Sequence, residues 1–353
     1  MRIDKIDGWR FWAVCAVIVS HLIYHSQYYS TIDSEIRVEG FGLLGVEVFF
    51  FISGFVICSA LIKELETHGR FSIKAFYIRR CFRILPPLWI YLLVISVAGS
   101  YGLIEFNMAE AWIPALFVSN LESLFTLHWF VGHTWTLSYE EQFYIVFPII
   151  LWISYRANRM MVFPLLIILF PILSLLCYYF HMEIGAGVFR FFDFMVWGVV
   201  FAIYKEDINK KLSLVGFVLP VILSLMMVVI SIIPASKFST ILTVFILPPL
   251  VAITVASTVF NESAMERLLT SKWLCYLGRA SYGIYLWQQV ATAKYAVFGG
   301  AFYFLAILGM ISYVVFQYEF IEKRLIRVGS NISKNLIEKE IYLKCPREFR
   351  SFP

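Results

Sequence analysis

Ten long apolar stretches, spaced at nearly regular intervals along the chain, restrict what this sequence can fold into more than any other feature. They run roughly from Trp9 to Tyr28, Phe41 to Ile62, Leu85 to Ile104, Trp135 to Ser154, Met161 to Phe180, Gly187 to Tyr204, Leu212 to Ile233, Phe238 to Phe260, Ser281 to Val297 and Ala301 to Phe320. A membrane-spanning helix needs about 20 mainly apolar residues, and each stretch comes near that length. Composition agrees: 60% of the 353 residues are hydrophobic and 15% charged, against about 45–50% and about 25% in ordinary soluble domains. No soluble core could hide that much apolar surface. The expected fold is all-α, a polytopic integral membrane protein with about ten transmembrane helices.

The basic residues give an independent orientation. Cytoplasmic loops of membrane proteins are enriched in Lys and Arg, and ten spans place both termini on that side. Of the 29 Lys and Arg residues, 25 then fall on the cytoplasmic face, leaving Arg37, Arg190, Lys237 and Lys294 on the other. The longest opposite loop, from Glu105 to Thr134, carries Glu105, Glu110 and Glu122 and no basic residue. An odd number of spans would spoil this alternation. The net charge of +5 is therefore spread along one membrane face, where anionic headgroups of the lipid bilayer are the natural partner and nucleic acid is not. The organisation expected is one membrane domain, residues 1–325, and a short basic cytoplasmic tail, 326–353, lying along the inner surface. The first apolar run has no small-residue cleavage site before Tyr28 and is expected to be retained as a helix. Cysteines at 15, 58, 81, 177, 275 and 345 show neither a disulfide framework nor a metal-ligand spacing.

Ionisable side chains within apolar spans are expensive and so become functional candidates: Arg10, His21, Glu47, Glu140, Glu141, Arg190 and Asp193. Arg10 and His21 are eleven residues apart, which on a helix separates them by about 20° in direction and about 16 Å in height. They share a face at two depths, as an enzyme needs if it takes a donor from inside and presents its reactive end deeper in the membrane. The structural alternative is an arginine snorkelling to headgroups and a packed core histidine. Glu47 lies at nearly the depth of His21 on the next helix, so a His–carboxylate pair is geometrically open to them, as is a purely structural role for Glu47. The inner loop before the third span carries Arg79, Arg80 and Arg83 ahead of Pro86 and Pro87. Such a cluster suits the phosphates of a nucleotide-type acyl carrier, or serves as an orientation signal. Glu140 and Glu141 open the fourth span, favoured there by the helix dipole. With His133 they are also candidates to bind sugar hydroxyls at the outer mouth.

Several ordered segments together resemble the membrane-bound acyltransferase family 3 along most of the chain. Asp7-Gly8-Trp9-Arg10 followed by His21 is similar to the family's opening Asp-Gly-x-Arg and its Arg-x10-His pair. Gly45 to Phe55 resembles its Gly-Val-Asp/Glu-x-Phe-Phe-x-x-Ser-Gly-Phe signature, and Arg79 to Pro86 its arginine stretch. His133 to Tyr144, which includes Ser138, Glu140 and Glu141, resembles its His-x-Trp-Ser-Leu-x-x-Glu-Glu-Gln-Phe-Tyr, with Thr136 in place of Ser. Arg190 to Gly198, Ser281 to Trp287 and Phe320 to Lys323 also fit. Departures are Gln288, where the family often has His, Arg324, where it often has Pro, and Phe11, where Gly is usual.

The resemblance implies an O-acyltransferase of the cell membrane that moves an acyl group from cytoplasmic acyl-CoA, commonly acetyl-CoA, to a hydroxyl of a cell-surface polysaccharide or lipid-linked glycan. It implies catalytic roles for His21 and Arg10, with Glu47 beside them, and donor binding by Arg79, Arg80 and Arg83. His133, Ser138, Glu140 and Glu141 become acceptor-binding or structural residues. Acyl-CoA is a co-substrate; no bound cofactor and no metal are expected. The rival reading is a transporter or flippase for a glycan or lipid intermediate, which would consume no acyl-CoA.

Overall fold

The computed structural model describes residues 3–26, 29, 32, 36–121, 124–212, 217–293 and 300–344, with backbone alone for 300–303 and 341–344. Arg2, Tyr28, Glu122, Lys294, Val297, Cys345 and the end of the tail lie outside the described residues. Among the described residues there are helices and no strand. A backbone in hydrocarbon must satisfy its own hydrogen bonds, and a helix does so within one segment.

A helix coincides with each apolar stretch: α1 Asp4–Tyr24, α2 Val38–His68, α3 Ile73–Ser100, α4 Trp135–Arg156, α5 Val162–Tyr179, α6 Glu183–Ile203, α7 Leu219–Ile232, α8 Lys237–Phe260, α9 Ser281–Thr292 and α10 Gly300–Gln317. Among the described residues, seven helices are long and apolar enough to cross a membrane, namely α1, α2, α3, α5, α6, α8 and the one that contains α10. Helix α4 is long but carries Glu140 and Glu141, while α7 and α9 have 14 and 12 residues. A helix of that length rises about 18–21 Å, short of the roughly 30 Å hydrocarbon core.

Local chemistry sets the ends and irregularities. Gly69, at φ 66°, ends α2 in the left-handed conformation that a glycine adopts without strain. Ser72 caps α3 by accepting from the Ala75 N–H at 3.2 Å. Helix α3 runs through Pro86 and Pro87, so the three arginines sit on its first turns rather than in a loop before it. The apolar run alone did not reveal this, because the helix begins twelve residues before Leu85, in its polar portion. Helix α8 widens to a π-turn over Leu242–Ile246, directly before Pro248 and Pro249, which have no N–H to donate. A second π-turn, Tyr318–Glu322, joins α10 to α11, Lys323–Lys344.

Helix α2 is the centre of the bundle, with 78% of its most apolar window buried against 17% for α5, which is left to face lipid. Glycines let its neighbours approach. A Cβ on Gly54 would fall 2.0 Å from the Met195 carbonyl oxygen of α6, and one on Gly45 would fall 2.3 Å from that of Ala13 on α1. Small residues at crossings are the usual device for close helix packing in membranes. The tail segment is helical and packs on the first half of α3. Arg79 donates to Ser333, the Ser72 hydroxyl donates to Glu340 at 3.1 Å, and Gly329 lies against Phe82.

Candidate active site

Three cavities follow one another along α1. The first, about 810 Å³, opens at the end that carries Asp7 and Arg10 and is also lined by Lys63, Arg83, Lys205 and Arg279. A central passage of about 80 Å³ is walled by Arg10, Ser53, Arg80, Arg83, Glu140, Glu141 and Tyr144. The third, about 550 Å³, is lined by His21, Arg37, Trp129, His133, Trp135 and Gln289. Arg10, Val56, Arg83 and Tyr282 belong to both the first cavity and the passage; Val46 and Tyr285 belong to both the passage and the third cavity. The three cavities therefore adjoin one another between Arg10 and His21.

The helical period sorts the arginine cluster. Arg80 and Arg83, three residues apart, share a face of α3 and meet the passage; Arg79, about 100° away, does not. Its guanidinium bonds Glu64 at 3.0 Å and Ser333, tying α3 to α2 and α11. Arg79 thus makes contacts between helices, while Arg80 and Arg83 meet the passage. Arg80 lies over the rings of Tyr144, 4.9 Å away, and Phe76, 5.7 Å away. Among the described residues neither Arg80 nor Arg83 has a carboxylate at ion-pair distance, whereas Arg10 has Asp7 at 3.5 Å. Arg80 and Arg83 share the passage wall with Glu140 and Glu141, whose charges act on Arg80, and as two forked donors they suit an anion.

Glu47 and His21 are not a pair. The Glu47 carboxylate, 1% exposed, accepts from Arg190 of α6 at 2.7 Å. Asp193, one turn on from Arg190, is also buried. Similar depth on adjacent helices did not bring Glu47 to His21, because the α2–α6 crossing at Gly54 turns it toward α6. His21 instead finds Gln288 of α9, with Nδ1 2.7 Å from the side-chain oxygen. The ring also meets Trp129 edge-on, with centroids 5.1 Å apart.

Glu140 and Glu141 lie deeper than the outer mouth. Residues His133 and Thr134 are themselves buried, so α4 starts inside the bundle, and its second turn reaches the central passage. There Glu140 accepts from the hydroxyls of both Ser53 and Tyr144. Ser138 faces away from the cavities. It accepts from the Ser119 N–H at 3.0 Å and donates to the Thr134 carbonyl at 3.2 Å, holding the long loop on α4. His133 does line the third cavity, with Nδ1 2.5 Å from the Gln289 side-chain oxygen.

Sequence reasoning left out Gln289, Trp129, Ser53, Tyr144 and Tyr285 as site residues and noted Gln288 only as a departure. One signal was available. Gln288 and Gln289 are adjacent amides inside an otherwise apolar run, and buried amides need partners.

The profile of the acyltransferase domain family matches residues 3–329. A Staphylococcus aureus (strain COL) protein provisionally named as an O-acetyltransferase is 28% identical over 91% of this chain and 56% of its own length. The O-acetyltransferase OatA of Staphylococcus aureus (strain NCTC 8325 / PS 47) is 26% identical over 99% of this chain and 58% of its own. The chain thus spans a little more than half the length of these relatives. No solved structure matches it. With the matched region covering the whole helical bundle and all three cavities, the chain belongs to the family of membrane acyltransferase domains, acyltransferase family 3.

Proposed function

We propose that the chain is an O-acyltransferase, most simply an O-acetyltransferase, that moves an acyl group from cytoplasmic acyl-CoA to a hydroxyl of a surface polysaccharide or lipid-linked glycan. In this reading it crosses the inner cell membrane ten times, with both termini cytoplasmic and the Arg10 end of the bundle facing inward. The observation that carries it is the succession of three adjoining cavities from Arg80 and Arg83 to His21. The first cavity, at about 810 Å³, has room for a nucleotide, and its arginines suit phosphate oxygens. In this reading the pantetheine arm lies in the central passage, the smallest of the three cavities at about 80 Å³. The acyl thioester then reaches the third cavity, where Trp129 and Trp135 offer ring faces to a sugar.

At His21 the chemistry is general base catalysis. Nε2 takes the proton of the acceptor hydroxyl as its oxygen attacks the thioester carbonyl carbon. Collapse of the tetrahedral intermediate breaks the carbon–sulfur bond, and the imidazolium returns its proton to the departing thiolate. An imidazole suits both steps because it exchanges protons near neutral pH. The test is label transfer from radiolabelled acetyl-CoA to the glycan fraction of native membranes. Transfer with the natural chain and none with His21→Ala is expected; equal transfer with both would refute His21 as the base. Absence of acetyl-CoA consumption with either would favour a transporter.

A further inference from the structure

We infer that Gln288 is the positioning residue of His21, fixing its proton on Nδ1 so that Nε2 is the nitrogen left to act as base. This rests on the reading of His21 as the base. A neutral imidazole carries one N–H, and the nitrogen that holds it is decided by what the other atoms of the site accept or donate. The Gln288 side-chain oxygen sits 2.7 Å from Nδ1, on a residue with no exposed surface. On α9 the Thr292 hydroxyl donates to the Gln288 main-chain oxygen at 2.8 Å and lies 3.5 Å from the side-chain oxygen, while among the described residues the Gln288 side-chain nitrogen has no partner. With Nδ1–H committed to that oxygen, the Nε2 lone pair is the one that can take the proton of a hydroxyl.

Among the described residues no carboxylate lies at ion-pair distance from His21. Glu47 is committed to Arg190. A neutral amide supplies orientation and tautomer without a second charge, as asparagine does for the histidine of some cysteine proteases. Helix α9 repeats the device one residue on, where Gln289 holds Nδ1 of His133 at 2.5 Å and its main-chain oxygen accepts from Trp129 at 3.0 Å. Two adjacent amides thus orient two imidazoles on the wall of one cavity.

The test compares substitutions that differ in hydrogen-bonding sense. Gln288→Glu keeps an acceptor at nearly the same volume, while Gln288→Leu keeps an apolar side chain and removes the acceptor. In the acetyl-CoA label-transfer assay, Gln288→Leu is expected to lower kcat roughly 10²-fold with the donor KM little changed, and Gln288→Glu to retain activity within roughly tenfold. A residue needed only for packing would give the opposite order, and that result would overturn the proposal. Nitrogen-15 NMR of the full chain labelled at histidine, in lipid nanodiscs, reads the tautomer directly. Nδ1–H on His21 in the natural protein supports the assignment, and Nε2–H overturns it whatever the activities are. The His133 signal, held by Gln289, reports whether each variant has kept its fold; should Gln288→Leu fail to fold, the natural protein and Gln288→Glu still decide. A fully active His21→Ala would overturn the catalytic part by itself and leave the tautomer to NMR.

Discussion

The two ends of α1 are built on different principles. Around Arg10 the cavity wall is rich in charge, with Arg83, Lys63, Lys205 and Arg279 set against Asp7, Glu66 and Asp207. Around His21 the residues that touch the histidine are a neutral amide, Gln288, and an aromatic ring, Trp129. A charged wall attracts an anion over a distance and tolerates some freedom in its pose. A hydrogen-bonded imidazole does no long-range work but fixes one nitrogen in one direction. In the proposed function the contrast would separate binding from chemistry along a single helix, about 16 Å apart.

Four substitutions test that separation, beginning with the largest effect. His21→Ala should reduce kcat by about 10²- to 10⁴-fold while the acetyl-CoA KM stays near its natural value, measured by label transfer in membranes. A large rise in KM instead would merge the two ends. Glu47→Ala leaves the buried Arg190 without a counter-charge and should destabilise the bundle by about 3–5 kcal/mol. Thermal unfolding in detergent reads that loss, and an unshifted midpoint would show that the pair is no scaffold. Arg83→Ala removes one charge-assisted contact worth about 1.5–3 kcal/mol, which is roughly a 10- to 100-fold higher donor KM at nearly constant kcat. A change confined to kcat would contradict the anion-receptor assignment. Arg79→Ala should leave the donor KM within about twofold and cost about 1 kcal/mol or less, since its half-exposed ion pair joins α3 to α2. A donor defect as large as that of Arg83→Ala would put Arg79 back in the site.

The sequence by itself determined the helices and the residues of interest. An apolar run of membrane length has one economical backbone in lipid, so its existence and type follow from composition. The same holds for Arg10 and His21, whose shared face depends only on their spacing within one helix. What lies between helices was decided by tertiary packing. The choice of Arg80 and Arg83 over Arg79 depends on how α3 is rotated against α11. The depth of Glu140 depends on a buried loop that starts α4 inside the bundle. The partner of Glu47 depends on a glycine crossing between α2 and α6, and that of His21 lies 267 residues away on α9. Rotation about a helix axis changes by about 100° per residue, and no local rule sets it. It is fixed by which surfaces interlock, and only the assembled bundle contains that information.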